Sequence, residues 1–331
     1  MKTSIVSVPM GRRFWSVATL ALVMASTSGA LAQPAGKPLR VVVAGASGGG
    51  TDIVARLLSD GLQKELQQTV VVDLKPGGGG AIAVNDLMQS PRDGSTMLVA
   101  ISGLVSEVPH IVKLRIDMAK EVKPIAELAR FGLVLVGNPS VPARTMSELI
   151  GYVKAHPGKV SYASYSPGTI AHLSGLKLNQ AAGLDMTHVG YKSSQPALTD
   201  VMGGHVPLMF DGMSTSLPLI KAGKLKAFAV SLPQRTPSLP DVPTFRELGL
   251  PDLETVIWFG AWVTPDTPAE TQARLRQATL KVLEQPAVRE RMQELGFSAG
   301  LPRSPEELQR TLKVDFDKTG ELLRSIDFKA E

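Results

Sequence analysis

The chain of 331 residues carries 35 Lys and Arg against 30 Asp and Glu, has no cysteine, and has a sequence pI of about 9.3. Its length and its apolar content of 44% suit two domains of ordinary size, and the missing cysteine excludes a disulfide scaffold, thiolate metal sites and a cysteine nucleophile. A basic pI would ordinarily point to nucleic acid or an acidic membrane surface, an implication that the N-terminal residues remove.

Residues 1–32 hold Lys2, Arg12 and Arg13 and no acidic residue, then the apolar run 17–24 and small residues ending in Ala30, Leu31 and Ala32. A positive start, a short apolar stretch and an A-x-A site are the parts of a cleavable secretory signal, with cleavage expected after Ala32. The run is far shorter than the ~18 residues that a membrane span needs. Arg12 and Arg13 form the adjacent pair used by twin-arginine signals, although plain signals carry such pairs too. With no cysteine to carry a lipid, the expected product is a freely diffusing periplasmic protein of 299 residues. Without the three leader cations, 32 basic residues face 30 acidic ones, and no block of like charge occurs. Nucleic-acid binding becomes a poor reading.

Residues 39–44 are a continuous apolar, β-branched run, which predicts a strand buried on both faces. A glycine-rich turn follows at 45–52, and Ile53, Leu57, Leu58 and Leu62 recur at helical spacing. Residues 69–73 predict a second strand, 75–80 a second glycine-rich loop opening a helix at Ala81, and 96–100 a third strand. Further strands are predicted at 131–137, 160–163, 206–210, 225–230 and 256–263, with helices between them, among them 146–155 and 169–182. From Pro268 the pattern is helical, with Leu275, Leu280, Leu283 and Met292 on one face. This alternation predicts an α/β fold with parallel sheets in two lobes.

Gly45, Ser47 and Gly49 match G-x-S-x-G, the nucleophile elbow of serine hydrolases. An elbow belongs well inside a sheet, after the strand whose loop supplies an oxyanion-hole amide, and here no strand precedes. The same loop resembles a dinucleotide-binding turn, with Asp73 placed for a ribose. The spacing fails because Ser47 stands where the second glycine belongs. An NAD(P)-dependent oxidoreductase is therefore the second reading. The five histidines, at 110, 156, 172, 188 and 205, show no metal-binding spacing. No metal and no cofactor is expected.

What remains is anion chemistry. A loop that opens a helix directly after a parallel strand aims backbone N–H groups and the positive helix end out of the carboxyl edge of the sheet. Ser47, Gly48, Gly49, Gly50 and Thr51 form one such cradle, with Asp52 placed to cap its helix. For the glycines at 77–80, tight turning explains as much as binding does. A third such loop offers the hydroxyls of Ser164, Ser166 and Thr169. Cradles in both halves imply a ligand held between the lobes.

The chain resembles the solute-binding receptors of tripartite tricarboxylate transporters, the Bug-type receptors. The resemblance covers essentially all of residues 33–331. Its landmarks are 48–56 (GGGTDIVAR), 75–80 (KPGGGG), 91–98 (PRDGSTML), 123–126 (KPIA), Tyr162, Ala163, Ser164, Gly168, Thr169, His172, Leu173, 190–198 (GYKSSQPAL), Trp258, Phe259, Gly260, Thr267 and Pro268. It implies a type II-like periplasmic-binding-protein fold. Lobe 1 would be 33–131 plus 255–331 and lobe 2 would be 132–254, each a mainly parallel sheet flanked by helices, with the ligand cleft between them. It implies a monomeric receptor, not an enzyme, that closes on a small carboxylate and delivers it to a membrane permease of a large and a small subunit. A sensor kinase is the alternative client. The loops at 47–52 and 164–169 would grip the carboxylate, while Tyr191, Ser193, Ser194, Gln195 and Asp211 would face the distal end of the ligand. Departures from the family pattern stand at Ala44, Gly45, Ala46 and Ser47, where proline and an aromatic residue are common just before the glycines, and at Ser166 and Ser193, where glycine is common.

Overall fold

A computed structural model describes residues 37–165 and 167–325, together with Met1 and Phe328. The expected leader beyond Met1, and Ser166, lie outside the described residues. The first sheet contains β1 (Leu39–Val43), β2 (Val70–Leu74), β3 (Thr96–Ile101), β4 (Lys123–Phe131), β10 (Ile257–Val263) and β11 (Ser298–Ala299) in the order β11-β4-β10-β3-β1-β2. The second contains β5 (Leu133–Gly137), β6 (Ser161–Ser164), β7 (Thr187–Gly190), β8 (Leu208–Gly212) and β9 (Lys226–Val230) in the order β7-β6-β8-β5-β9.

Helices cover both faces of each sheet. In chain order they are α1 (Gly50–Leu66), α2 (Ala81–Gln89), the single turns α3 (Gly103–Ser106), α4 (Val108–Ile111) and α5 (Met118–Glu121), then α6 (Met146–Lys154), α7 (Ile170–Ala182), α8 (Ser194–Met202), α9 (Met213–Lys221), α10 (Ala269–Glu284), α11 (Pro286–Glu294) and α12 (Pro305–Ser325). Local chemistry marks their ends. Thr145 caps α6 by accepting the Glu148 N–H, and Gly183 closes α7 in the left-handed region, at φ 62°. The run 257–263 is wholly buried because β10 pairs on both sides and is covered on both faces. Phe259, Ala261 and Val263 join one core with α1 and α10, while Trp258 and Trp262 join another with α2 and α12.

Two expectations are corrected. Each sheet is mixed rather than mainly parallel, because β10 runs antiparallel to β3 and β4, and β5 runs antiparallel to β8 and β9. These are the strands on which the chain enters or returns to a sheet without a crossover helix. The single strand expected at 131–137 is two strands broken at Gly132, and β4 reaches back to Lys123. Its polar letters disguised it: Glu127 is fully buried and accepts from Arg303 Nε at 2.9 Å, a partner 176 residues away.

The chain passes between the sheets twice, at Gly132 and through residues 231–256. Ser231 ties the two passages. Its Oγ accepts from the Leu133 N–H at 2.8 Å and donates to the Thr255 carbonyl at 2.7 Å. Its backbone bonds Leu133 O and Thr255 N–H. Gly132 lies so close that a Cβ there would stand 2.7 Å from Leu232 Cγ and 2.9 Å from Ser231 Oγ. Gly132→Ala is therefore expected to cost about 1–3 kcal/mol in urea unfolding, as overpacked cores do; an unchanged midpoint would refute the tight crossing.

Candidate functional site

Parallel pairing decides which loops meet. β2, β1 and β3 run together, so the segments after them leave one edge of the first sheet. β7, β6 and β8 do the same in the second. The first edge presents Ser47, Gly48, Gly49, Gly50, Thr51 and Asp52, and the second presents the segments after Ser164, Gly190 and Gly212.

At the first edge, Gly48 adopts a positive φ of 73°, which turns the chain into α1 without a Cβ clash. Asp52 is buried and binds the loop rather than facing outward. Its Oδ2 accepts the Gly48 N–H at 2.9 Å, and its Oδ1 accepts Arg56 Nε at 2.6 Å. The Gly49 N–H bonds Ala46 O. The amides of Gly50 and Thr51 have no acceptor among the described residues, and Ser47 is exposed beside them. The start of α1 rests on Phe259, which stacks on Phe131 at a centroid distance of 4.7 Å. The glycines at 77–80 all have positive φ, and Gly79 and Gly80 press against Val108 and Leu104, so their role is close packing. Asp73, the expected ribose acid, is paired with Arg40 at 2.8 Å.

At the second edge, Ser164 is fully buried and its Oγ shares a 2.7 Å hydrogen bond with His188 Nε2. His188 stacks on His172, centroids 3.8 Å apart, and the Gly168 N–H donates to His172 Nδ1 at 3.0 Å. Burial lowers the pKa of both imidazoles, and His188, beside His172, falls to about 4. The pair is neutral at neutral pH. Thr169 is the N-cap residue of α7 and hydrogen-bonds Tyr165, whose phenol is pushed up by burial and by the nearby Glu107 and Asp211 carboxyls.

Tyr191 joins this loop through its N–H to Ser164 O at 3.0 Å, while its hydroxyl donates to Asp200. Ser193 and Gln195 are exposed at the start of α8. Ser194 donates to Asp211 at 2.6 Å, and Thr215 and Ser216 donate to the other carboxyl oxygen. Asp211 has no exposed surface. Its carboxyl is raised by burial, against the lowering effect of these hydroxyls. It holds the starts of α8 and α9 together. A separate groove of about 450 Å³ lined by Val105, Val122, Leu312 and Phe316 contains none of these residues.

The two edges touch. Glu107, after β3, accepts the Ile170 N–H at the start of α7 through Oε2 at 3.1 Å. Beside it, Ile111 packs with Leu173 and Leu323. Sequence reasoning missed Glu107, Tyr165, His172 and His188 as site residues; the histidines are sixteen positions apart and meet only through the β6–β7 pairing. Burial raises the Glu107 carboxyl to about 7, with Asp315 adding and the Ile170 amide and Lys177 opposing. A carboxyl raised in the folded state favours folding most below its unfolded pKa, and this contribution disappears as pH rises through about 7. Wild type is expected to lose roughly 3 kcal/mol relative to Glu107→Gln between about pH 4.5 and 8, measured by urea unfolding. Parallel pH profiles would refute the burial of an ionisable carboxyl.

Residues 54–328 match the family described as "Tripartite tricarboxylate transporter family receptor". Protein BugT of Bordetella pertussis is 31% identical over 254 residues, 76% of this chain and 78% of that protein. A structure titled as a periplasmic transporter is 34% identical, with a TM-score of 0.81 over 90% of this chain and all of the other. A Rhodopseudomonas palustris protein solved with adipate is 28% identical, with a TM-score of 0.81 over 89% of this chain and 98% of that one. The expected resemblance and the two-lobed α/β fold stand, and the chain belongs to the receptor family of the tripartite tricarboxylate transporters.

Proposed function

We propose that this chain is a periplasmic receptor that captures a small organic carboxylate between two lobes, 33–131 plus 255–331 and 132–254, and delivers it to a membrane permease of a large and a small subunit. Residues 1–32 would be the export signal, removed on secretion. The protein would act as a monomer without chemistry of its own. The observation that carries this reading is the pairing of two helix-starting sheet edges, one ending in α1 and the other in α7, joined by the Glu107–Ile170 contact. The adipate-bound relative supports a carboxylate as the ligand class.

In this reading, the amides of Gly50 and Thr51 and the hydroxyl of Ser47 take one side of the carboxylate. The segment 164–169, with the hydroxyls of Ser164, Ser166 and Thr169 that the family resemblance implies, would take the other. Ser193, Ser194 and Gln195 face the remainder of the ligand, with Tyr191 and Asp211 holding them in position. Neutral donors suit a receptor that must also exist empty, because they leave no buried cation unpaired when the ligand departs. Closure would be a population shift, limited by how much better the closed form binds.

The test is a thermal-shift screen of residues 33–331 against acetate, malate, succinate, adipate, citrate and NAD(P). A ligand at 100 times its Kd stabilises by about 2.7 kcal/mol, a clear rise in Tm. A shift with NAD(P) and none with any carboxylate would overturn the proposal. Thr169→Ala is expected to weaken binding of the best carboxylate by about tenfold, the scale of one charge-assisted hydrogen bond, while the empty protein stays folded with a Tm lower by a few degrees, from the lost bond to Tyr165. Unaltered affinity by calorimetry would remove Thr169 from the site.

A further inference from the structure

Glu107 places a carboxyl group where the proposed function needs an anion cradle. It leaves the carboxyl edge of the first sheet, crosses to the second lobe and accepts the first amide of α7, one residue beyond Thr169. Only 9% of the residue is exposed. The turn beneath it is shaped to fit, since a Cβ on Gly103 would lie 3.0 to 3.2 Å from the Glu107 carboxyl atoms. The charged groups facing it are Lys177 on α7 and Asp315 on α12, with the phenol of Tyr165 on the loop between β6 and α7. No ion pair within 4.0 Å neutralises it among the described residues; Lys177 acts at longer range. One helix end is thus shared between a protein carboxyl and the position proposed for the ligand.

We propose that Glu107 is a specificity-determining residue of the cleft: its carboxyl and the carboxylate of the ligand share the start of α7, so that capture of the anion is coupled to uptake of one proton. The inference rests on the receptor reading above. Two carboxylates at one partly dehydrated helix end do not both stay ionised, and a single proton relieves the repulsion. The proton goes onto Glu107, which then donates or accepts as a neutral acid while Ile170 keeps its acceptor. Burial already raises this group to about 7, so protonating it near neutral pH takes little work. The net ligand is a carboxylate plus a proton, and binding is expected to weaken as the medium becomes alkaline.

The test is calorimetry at about pH 8 with acetate, malate and adipate in phosphate and in Tris, whose ionisation enthalpies differ enough to count protons. For whichever of these binds, wild type should take up close to one proton, and its Kd should rise up to about tenfold per pH unit above 7. In Glu107→Gln, which keeps an oxygen acceptor for the Ile170 amide, proton uptake should vanish and Kd should stay flat with pH. Binding by wild type without proton uptake, or the same pH slope in the variant, overturns this inference and leaves the receptor reading intact. Failure of wild type to bind any of the three at any pH, with no shift from any carboxylate in the thermal screen, overturns both. If Glu107→Gln does not fold, the wild-type proton count decides.

Discussion

The tie at Ser231 is the constraint on which the rest of the structure depends. One hydroxyl accepts from Leu133 and donates to Thr255, so the outgoing and returning passages of the chain are held at one point. Gly132 leaves no room for a side chain there. With both passages pinned, the carboxyl edge of the β1 sheet is brought to the carboxyl edge of the β6 sheet, and Glu107 reaches Ile170. Had the crossing been a loose linker, nothing would hold the start of α7 against the loop after β3.

A second regularity follows from the helix dipoles. Four helices that start at the facing edges are met by a protein carboxylate: Asp52 at α1, Glu107 at α7, and Asp211 at both α8 and α9. The positive helix ends are thereby stabilised without a ligand. The carboxylates differ in reach. Asp52 and Asp211 are buried among partners within their own lobe, whereas Glu107 crosses to the other lobe, so it alone of the three links the charge of the site to the contact between lobes.

Much of the scaffold was legible in the residues. The run at 39–44, the hydrophobic spacing of α1, and the strands at 96–100, 225–230 and 256–263 all carry local patterns that tertiary packing reinforces. The glycine-rich turns between strand and helix at 45–49 and 77–80 were legible as turns as well. β4 was not legible, since its buried Glu127 reads as a surface residue until Arg303 is placed beside it. The mixed sheets were hidden for a related reason: strand direction is set by where the chain returns, and no local pattern encodes that.

The sequence by itself determined the absence of thiol chemistry, the α/β alternation, the glycine-rich strand-to-helix turns and the family, because composition, periodicity and motif spacing are properties of neighbouring residues. Tertiary structure alone decided that His172 stacks on His188, that Asp211 turns inward, and that Glu107 sits on the first amide of α7. The physical reason is distance along the chain. These contacts join segments up to 63 residues apart, and the burial that shifts Glu107 and His188 exists only once the chain has packed around them.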